Sequence, residues 1–544
     1  MTRKGSPTGE WVEEVGESEC RSVIDRIGVP ALPCPERGLT SDWSWITRKV
    51  RKSSTREVTW TMNATSVIEG PPGATASWLS IDWTKTRRHV SRLQARIVKA
   101  VRAGKWHRVR CLQRLLANSF AAKLLAVQRV SSNRGKRTAG VDGIVLETPA
   151  QKWRQARQLN AKDYKPKPLR RIYIPKKNGK RRPLGIPTQA DRAEQALELL
   201  ALDPVSECLA DKCSYGFRKE RSTQDAIAGC FLVLCRRQSA EWILEGDIRG
   251  CFDHLDHDWL VEHVPADQGK LRAWLKAGYL ERDAFHATAE GTPQGGIVSP
   301  TAANMALDGL DRRLQTRFKG RCKVNLVRFA DDFVVTGASR ALLEDEVKPL
   351  VVQFLKERGL ELAEEKTRIV HIDQGFDFLG FNIRKYQGTL LIKPAKSSIA
   401  AVKDKVREIL AAGNSLPQGV LIGRLNPVIR GWGNYYRHVV SKDVFDGVDH
   451  AIWRMTWNWA KRRHPKKSSQ WVKDRYFAHK DGRDWVFTDG SATLFRMASI
   501  PIRRHVKIRG EANPYDPQYA SYFAERHARQ GKRLPADPPA WLVL

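Results

Sequence analysis

Acidic residues are scarce in this chain relative to its bases. In 544 residues, 59 Asp and Glu stand against 94 Lys and Arg, a formal net charge of +35. A soluble enzyme of small metabolites has no use for that excess. A polyanion does, because each phosphate neutralised by Lys or Arg releases counterions. Nucleic acid is the first partner this implies and a membrane surface the second. Long apolar runs are also missing: no stretch of about 18 apolar residues occurs, which excludes a membrane-spanning helix. The opening MTRKGSPTGEWVEEVGE has no apolar core after its basic start, so no secretory signal is expected. Cysteine is sparse: nine residues are scattered from Cys20 to Cys322, without the paired C-x-x-C of a zinc site. Reduced thiols in a cytoplasmic protein are expected, not a disulfide framework. No internal repeat is visible. What is present is enough apolar residue, 41%, for a large core, and enough length for three or four domains.

Residues 1–77 are mixed in composition and rich in Pro, Gly, Ser and Thr, which predicts a poorly ordered extension. Regular pattern begins at Trp78. Between 81 and 180 about 27 Lys and Arg face 4 acids, roughly two thirds of the whole net charge. Val90, Leu93, Ile97 and Val101 repeat at helical spacing, as do Leu112, Leu115, Leu116, Phe120 and Leu124. RRIYIPKKNGKRRPLGIPT reads as a basic hairpin turning at Asn178-Gly179. ADRAEQALELLALDPV is helical. WILEGDI is a short buried strand ending in a carboxylate, and VNLVRFADDFVVTG is a hairpin of two apolar runs meeting at two Asp residues. RALLEDEVKPLVVQFLKERG reads as one amphipathic helix, and GFDFLGFNIRKY as a strand region. This irregular alternation over 170–395 predicts α+β architecture. After Ala395 helices take over. From 421 to 510 about 19 bases face 7 acids, with 6 of the 18 Trp. Rings that stack on unpaired bases, set among cations that hold phosphates, suit RNA.

The carboxylates carry the chemistry. Asp247 ends an apolar strand, and Asp331 and Asp332 sit at the tip of an apolar hairpin. Ionised carboxylates beside buried strands are costly unless paired or placed on a metal. Two adjacent Asp and a third from elsewhere form an oxygen donor set for hard divalent cations. An isolated Asp-Asp pair, by contrast, reads first as a solvated turn.

The surrounding motifs favour the metal reading. LEGDIRGCFDHL, TPQGGIVSP, VRFADDFVV, LAEEKTRIVH and FDFLGF occur in this order and closely resemble the palm motifs of reverse transcriptases. RRIYIPKKNGKRRPLGIPT and CSYGFRKERSTQDAI resemble the fingers motifs. LIGRLNPVIRGWGNYYRHV resembles the thumb, or maturase, domain of the bacterial group II intron-encoded reverse transcriptase/maturases. LQRLLANSFAAKLLAVQRVSSNRGKRTAGVDG fits the same branch. The resemblance covers about residues 78–520.

It implies a right-hand polymerase with fingers and palm at 78–395, a helical thumb at 396–455, and a small basic DNA-binding domain with a tail at 456–544. No cysteine follows Cys322, so the cysteine-rich HNH endonuclease of many relatives is not expected. By the resemblance, Asp247, Asp331 and Asp332 are the catalytic triad for two Mg²⁺ ions, with the Ile248 carbonyl as a further ligand. Phe252 takes the steric-gate position that selects deoxynucleotides. Arg170, Lys176, Arg182 and Gln294 hold the incoming dNTP, and Lys366 protonates the leaving pyrophosphate. Phe329 stands where the branch usually has Tyr. For RNA, the resemblance names Arg424, Arg430, Trp432, Tyr435, Tyr436 and Arg437, although one face of that aromatic helix must be core. The implied partners are group II intron RNA in a ribonucleoprotein, and target DNA, with monomer and dimer both open. Two alternatives stay open beside this reading: a splicing-only maturase, and a free-standing polymerase of host DNA repair or defence.

Overall fold

The computed structural model describes residues 74–531 apart from 176–178, 180 and 283. The expected extension thus lies outside the described residues except for positions 74–77, which begin the helix Ala74–Leu79. Lys176 lies outside them too.

Four helices form the N-terminal block: Trp83–Arg102, Trp106–Asn118, Phe120–Ser132 and Pro149–Gln158. Val90, Leu93, Ile97 and Val101 are buried along one face of the first, while Lys85, Arg92, Arg96 and Lys99 stay exposed. The single repeat read from Leu112 to Leu124 is in fact two helices. The chain turns at Ser119 into an extended conformation, because Asn118 and Ser119 favour helix ends over helix interiors. This block packs on the helix Gln189–Leu209, which is buried nearly all round. Its polar residues are stitched to their surroundings. Gln195 accepts from the Ile297 N–H at 2.7 Å, Glu198 from the Asp267 N–H at 3.0 Å, and Asp191 from the Tyr164 hydroxyl at 2.7 Å.

The strands build three sheets and a last hairpin. In chain order they are β1 (Leu169–Pro175), β2 (Arg181–Ile186), β3 (Trp242–Gly246), β4 (Tyr279–Glu281) and β5 (Ala284–His286). Then come β6 (Asn325–Phe329), β7 (Asp332–Gly337), β8 (Arg368–His371), β9 (Phe376–Phe378), β10 (Phe381–Tyr386) and β11 (Thr389–Pro394). The basic hairpin β1–β2 gains β4 and β5, in the order β2-β1-β4-β5. The central sheet has the order β6-β7-β3-β8 and is antiparallel throughout. Ile243, Leu244, Val334 and Val335 are fully buried in it, each worth about 1.5–3 kcal/mol. The helix expected over the stretch from Arg340 opens instead with a π-helical turn, Leu342–Val347, before the α-helix Lys348–Lys356. Pro349 has no N–H for the i→i−4 ladder, and the wider turn absorbs the missing bond.

Beyond β11 run the helices Lys396–Ala412, Gln418–Tyr436 and Lys442–Arg463. The third crosses the expected boundary at 455/456 without a break, because Trp459 and Ala460 are still buried on its inner face. The helix Ser469–Tyr476 and the hairpin β12 (Phe477–Lys480) with β13 (Arg483–Phe487) pack onto it. Trp459 sits edge-on to Tyr476 and Phe487 at 5.6 and 5.9 Å. Phe487, Met497, Ile508 and Phe523 share one buried core with these three helices.

The last described segment returns across the molecule as a strap. The Arg503 N–H donates to the Arg437 carbonyl at 3.0 Å. Arg526 and His505 donate to Asp225 at 2.8 and 2.9 Å. The Tyr515 hydroxyl bonds Asp203 at 3.1 Å, and Asp516 pairs with Arg102. Asp225 is fully buried at the start of the helix Thr223–Leu234, where it also caps Ser222. Burial alone would raise its pKa, but His505, Arg526 and Ser222 hold it well below the usual carboxylate range.

Candidate active site

The register of the central sheet brings the three aspartates together. Gly246 at the end of β3 pairs with Phe333 of β7, so one step further Asp247 comes opposite Asp332. Phe329 pairs with Asp332 across the hairpin, leaving Ala330-Asp331 as a two-residue turn. Ala330 has φ 59, left-handed backbone that costs a residue with a Cβ about 1–2 kcal/mol. Asp247 is set from behind: its carbonyl accepts the Ala363 N–H at 2.8 Å, and Ile248 bridges to Leu362. The Lys366 ammonium bonds Asp247 Oδ2, and this contact raises the lysine pKa.

Charge is crowded here. Burial, then Asp247, raise the Asp331 carboxyl, while Arg182 and Lys366 pull the other way. Asp332 keeps its outer edge in solvent. The protein wall behind it and the two neighbouring carboxylates nonetheless push its pKa up to about 7. A divalent cation would relieve that repulsion, and hard oxygen donors are the right chemistry for Mg²⁺. Among the described residues, no three His, Cys, Asp or Glu side chains already stand close enough to enclose an ion. In this arrangement Lys366 engages one oxygen of Asp247.

Beside the triad lies a cleft of about 280 Å³, lined by Phe252, Asp253, Gln294, Arg171, Tyr173 and Gly185 among others. Phe252 stands in the short helix Cys251–His254, edge-on to Phe217 at 6.3 Å. Arg182 Nε donates to Gln294 Oε1 at 2.9 Å, and Gln294 Nε2 donates to Asp253 Oδ1 at 2.7 Å. The Gly185 N–H donates to the Gln294 carbonyl at 2.9 Å. The basic hairpin is thus locked to the Pro-Gln-Gly-Gly turn. Gly295 has φ 130, and a Cβ there would lie 2.5 Å from the Gly185 carbonyl oxygen. Arg170 is exposed and shares the face of Arg182, since Arg170 pairs with Ile186 and Arg182 with Ile174. The opposite face gives the cleft Arg171, stacked 3.7 Å from the Tyr279 ring, and Tyr173, bonded to Glu281 at 3.1 Å.

Of the expected RNA contacts, Arg424 and Arg430 are exposed, the latter over Phe495 at 4.7 Å. Arg437 is half-buried. The three rings turn inward. The Tyr435 hydroxyl donates to the Leu379 carbonyl and that of Tyr436 to the Gly380 carbonyl, both at 3.0 Å. Trp432 packs on Tyr436 and Phe445 at 4.6 and 5.9 Å. These aromatics pack the helix Gln418–Tyr436 onto β9 and β10, so the inward face expected of it takes all three rings. Asp253, Arg171, Tyr173 and Gln195 were not singled out from sequence. Asp253 was within reach, as the residue after Phe252 in a quoted motif.

Family models match the chain along its length. That of reverse transcriptase (RNA-dependent DNA polymerase) matches residues 174–383, the N-terminal domain of reverse transcriptase 78–159, and the group II intron maturase-specific domain 399–477. Protein YkfC of Escherichia coli K12 is 34% identical over 321 residues, 50% of this chain and 83% of that protein. This chain belongs to the group II intron reverse transcriptase/maturase family. The Lactococcus lactis group II intron-encoded protein LtrA is 31% identical over 372 residues, and the match spans 53% of this chain and 60% of LtrA. Among solved structures, a Candida albicans telomerase bound to a telomeric RNA fragment aligns at TM-score 0.32 and 12% identity over 57% of this chain and 64% of that one. The reverse transcriptase has a mixed helix-and-strand architecture, and its enzymatic class is RNA-directed DNA polymerase. None of its described helices is long and apolar enough to cross a membrane.

Proposed function

We propose that this reverse transcriptase copies a group II intron RNA into DNA within a ribonucleoprotein that it also helps to splice, and that the copying serves retrohoming. The observation that carries the polymerase site is the sheet register bringing Asp247 opposite Asp332, with Asp331 on the adjoining turn. Asp247, Asp331 and Asp332, with the Ile248 carbonyl, would hold two Mg²⁺ ions. Bound there, the ions would activate a 3′-hydroxyl and stabilise the departing pyrophosphate. The chain's own residues do the rest. Phe252 stands against the sugar of the incoming dNTP and excludes a 2′-hydroxyl. Gln294, held between Arg182 and Asp253, fixes the sugar's position. Arg182, Arg170 and Lys176 neutralise the triphosphate. Lys366 begins paired to Asp247, and on leaving it can donate a proton to the pyrophosphate. Exposed Lys85, Arg92, Arg96 and Lys99, together with Arg424 and Arg430, give the intron RNA its phosphate contacts. The bases of 461–480 serve target DNA.

The test is to purify the protein with its bound RNA and assay dNTP incorporation on a primed RNA template. One dominant structured RNA, flanking this reading frame, supports the intron reading. A diffuse mixture of RNAs with active polymerisation would overturn it in favour of a free-standing polymerase. A splicing-only maturase would splice yet incorporate no dNTP.

A further inference from the structure

We propose that Arg328 is a positioning residue of the polymerase: it fastens the Ala330–Asp331 turn and so sets where the catalytic carboxylates stand. The inference rests on the polymerase reading of this site. Arg328 lies in β6, two residues before the turn, and its side chain is almost fully buried. A guanidinium is among the most costly groups to bury, and an apolar strand offers no packing reason for one. Its contacts show what holds it. Nη2 forms a buried ion pair with Asp308. Nη1 donates to Asn304 Oδ1 at 3.1 Å and to the Ala330 carbonyl at 3.3 Å. The planar fork thereby joins the helix Ser299–Leu307 to the backbone of the catalytic turn.

The turn is gripped from its other side as well. The Arg328 backbone exchanges hydrogen bonds with Cys213 and Tyr215, at 3.0 and 2.9 Å, so the Cys-Ser-Tyr-Gly-Phe segment lies along β6. Gly216 there abuts Ala330: a Cβ at 216 would run into the Ala330 nitrogen. Asn304 ties both sides together, since its Nδ2 donates to the Gly216 carbonyl at 2.7 Å. Ala330 keeps its left-handed φ between these two holds. A loosened turn would carry Asp331 out of line with Asp247, and displacements of about 1 Å are enough to cost roughly 100-fold in rate.

The test compares wild type, Arg328→Lys and Asn304→Ala, each as full-length protein with its RNA. Lysine keeps the positive charge and the pairing with Asp308, and loses the fork. Expected for both variants is a kcat lower by roughly 100-fold, with KM for dNTP and RNA affinity near wild type. Hydrogen exchange should rise in the peptide spanning 326–334 and not across the other core peptides. Asn304→Ala leaves the ion pair intact, so it decides the matter if Arg328→Lys fails to fold. A variant that keeps wild-type kcat and only melts earlier would overturn the proposal, as would loss of kcat and of RNA binding in step with exchange over the whole fold. A wild type inert on a primed RNA template would overturn the polymerase reading itself.

Discussion

Asp332 is held far from the ordinary carboxylate range by the protein wall behind it and by two other acids that share its corner of the sheet. With its folded pKa raised to about 7 from an unfolded value of about 3.9, the proton favours the folded, ion-free protein. That contribution to stability is fully present below the unfolded value and is lost as pH rises through about 7. Asp332→Asn should therefore raise the thermal midpoint of ion-free protein at pH 8, lose that advantage near pH 4, and abolish dNTP incorporation. By the proposed function, Mg²⁺ and the proton would compete for the same oxygens. The acid limb of the pH–rate profile should move to lower pH as Mg²⁺ is raised, and profiles at two Mg²⁺ concentrations check this. At Phe252, substitution by Ala should cut the preference for dNTP over NTP by roughly 10- to 200-fold in kcat/KM. Single-nucleotide incorporation with each sugar reads it. The meeting of Asp247, Asp331 and Asp332 was legible, because each lies at a strand end or hairpin tip. Arg328 was not singled out: its acceptors Asn304 and Asp308 lie 24 and 20 residues back, on or just past another helix.

At the scale of elements, the seam between the basic hairpin and the Pro-Gln-Gly-Gly turn is where the proposed function would seat the incoming nucleotide. Gly295→Ala would place a Cβ 2.5 Å from the Gly185 carbonyl oxygen at a φ of 130, so the hairpin must move away. KM for dNTP should rise roughly tenfold, about 1.4 kcal/mol, with RNA affinity unchanged; steady-state kinetics and a filter-binding assay separate the two. The hairpins β1–β2 and β6–β7 and the strand β3 were readable from period-two patterning and turn residues. Patterning cannot see breaks made by single residues, which is why Ser119 split one expected helix and Pro349 widened another. The helix Gln418–Tyr436 was legible only in part: one inward face was expected, but not which rings would fill it. Basic and aromatic residues look alike in sequence whether the rings face RNA or a neighbouring sheet, and only the carbonyls of Leu379 and Gly380 tell which.

Across the whole molecule, the strap decides how firmly the thumb is tied to the rest. Asp225 joins Ser222, His505, Ile508 and Arg526. Arg526→Met leaves a buried carboxylate short of its cation and should cost about 3–5 kcal/mol, read as a lower midpoint in denaturant. Because the folded pKa of Asp225 is depressed, its contribution is present above the unfolded carboxylate value of about 3.9. It is lost as pH falls towards the folded one, so the gap between wild type and Asp225→Asn should narrow on acidification. Nothing local signals this arrangement, since His505 and Arg526 lie 280 and 301 residues from Asp225. The overall class was nonetheless legible, because charge imbalance and motif order are properties of the whole chain.

The strap also sets an order of events during synthesis. At about 5–20 residues per second, a ribosome that has made Asp225 needs roughly 15–60 seconds to reach Arg526. The central sheet and the basic N-terminal helices are complete by then. A chain broken off before the strap would leave Asp225 without His505 and Arg526 and uncover the apolar surface that Ile508 and Phe523 pack against, the kind of defect that proteases find.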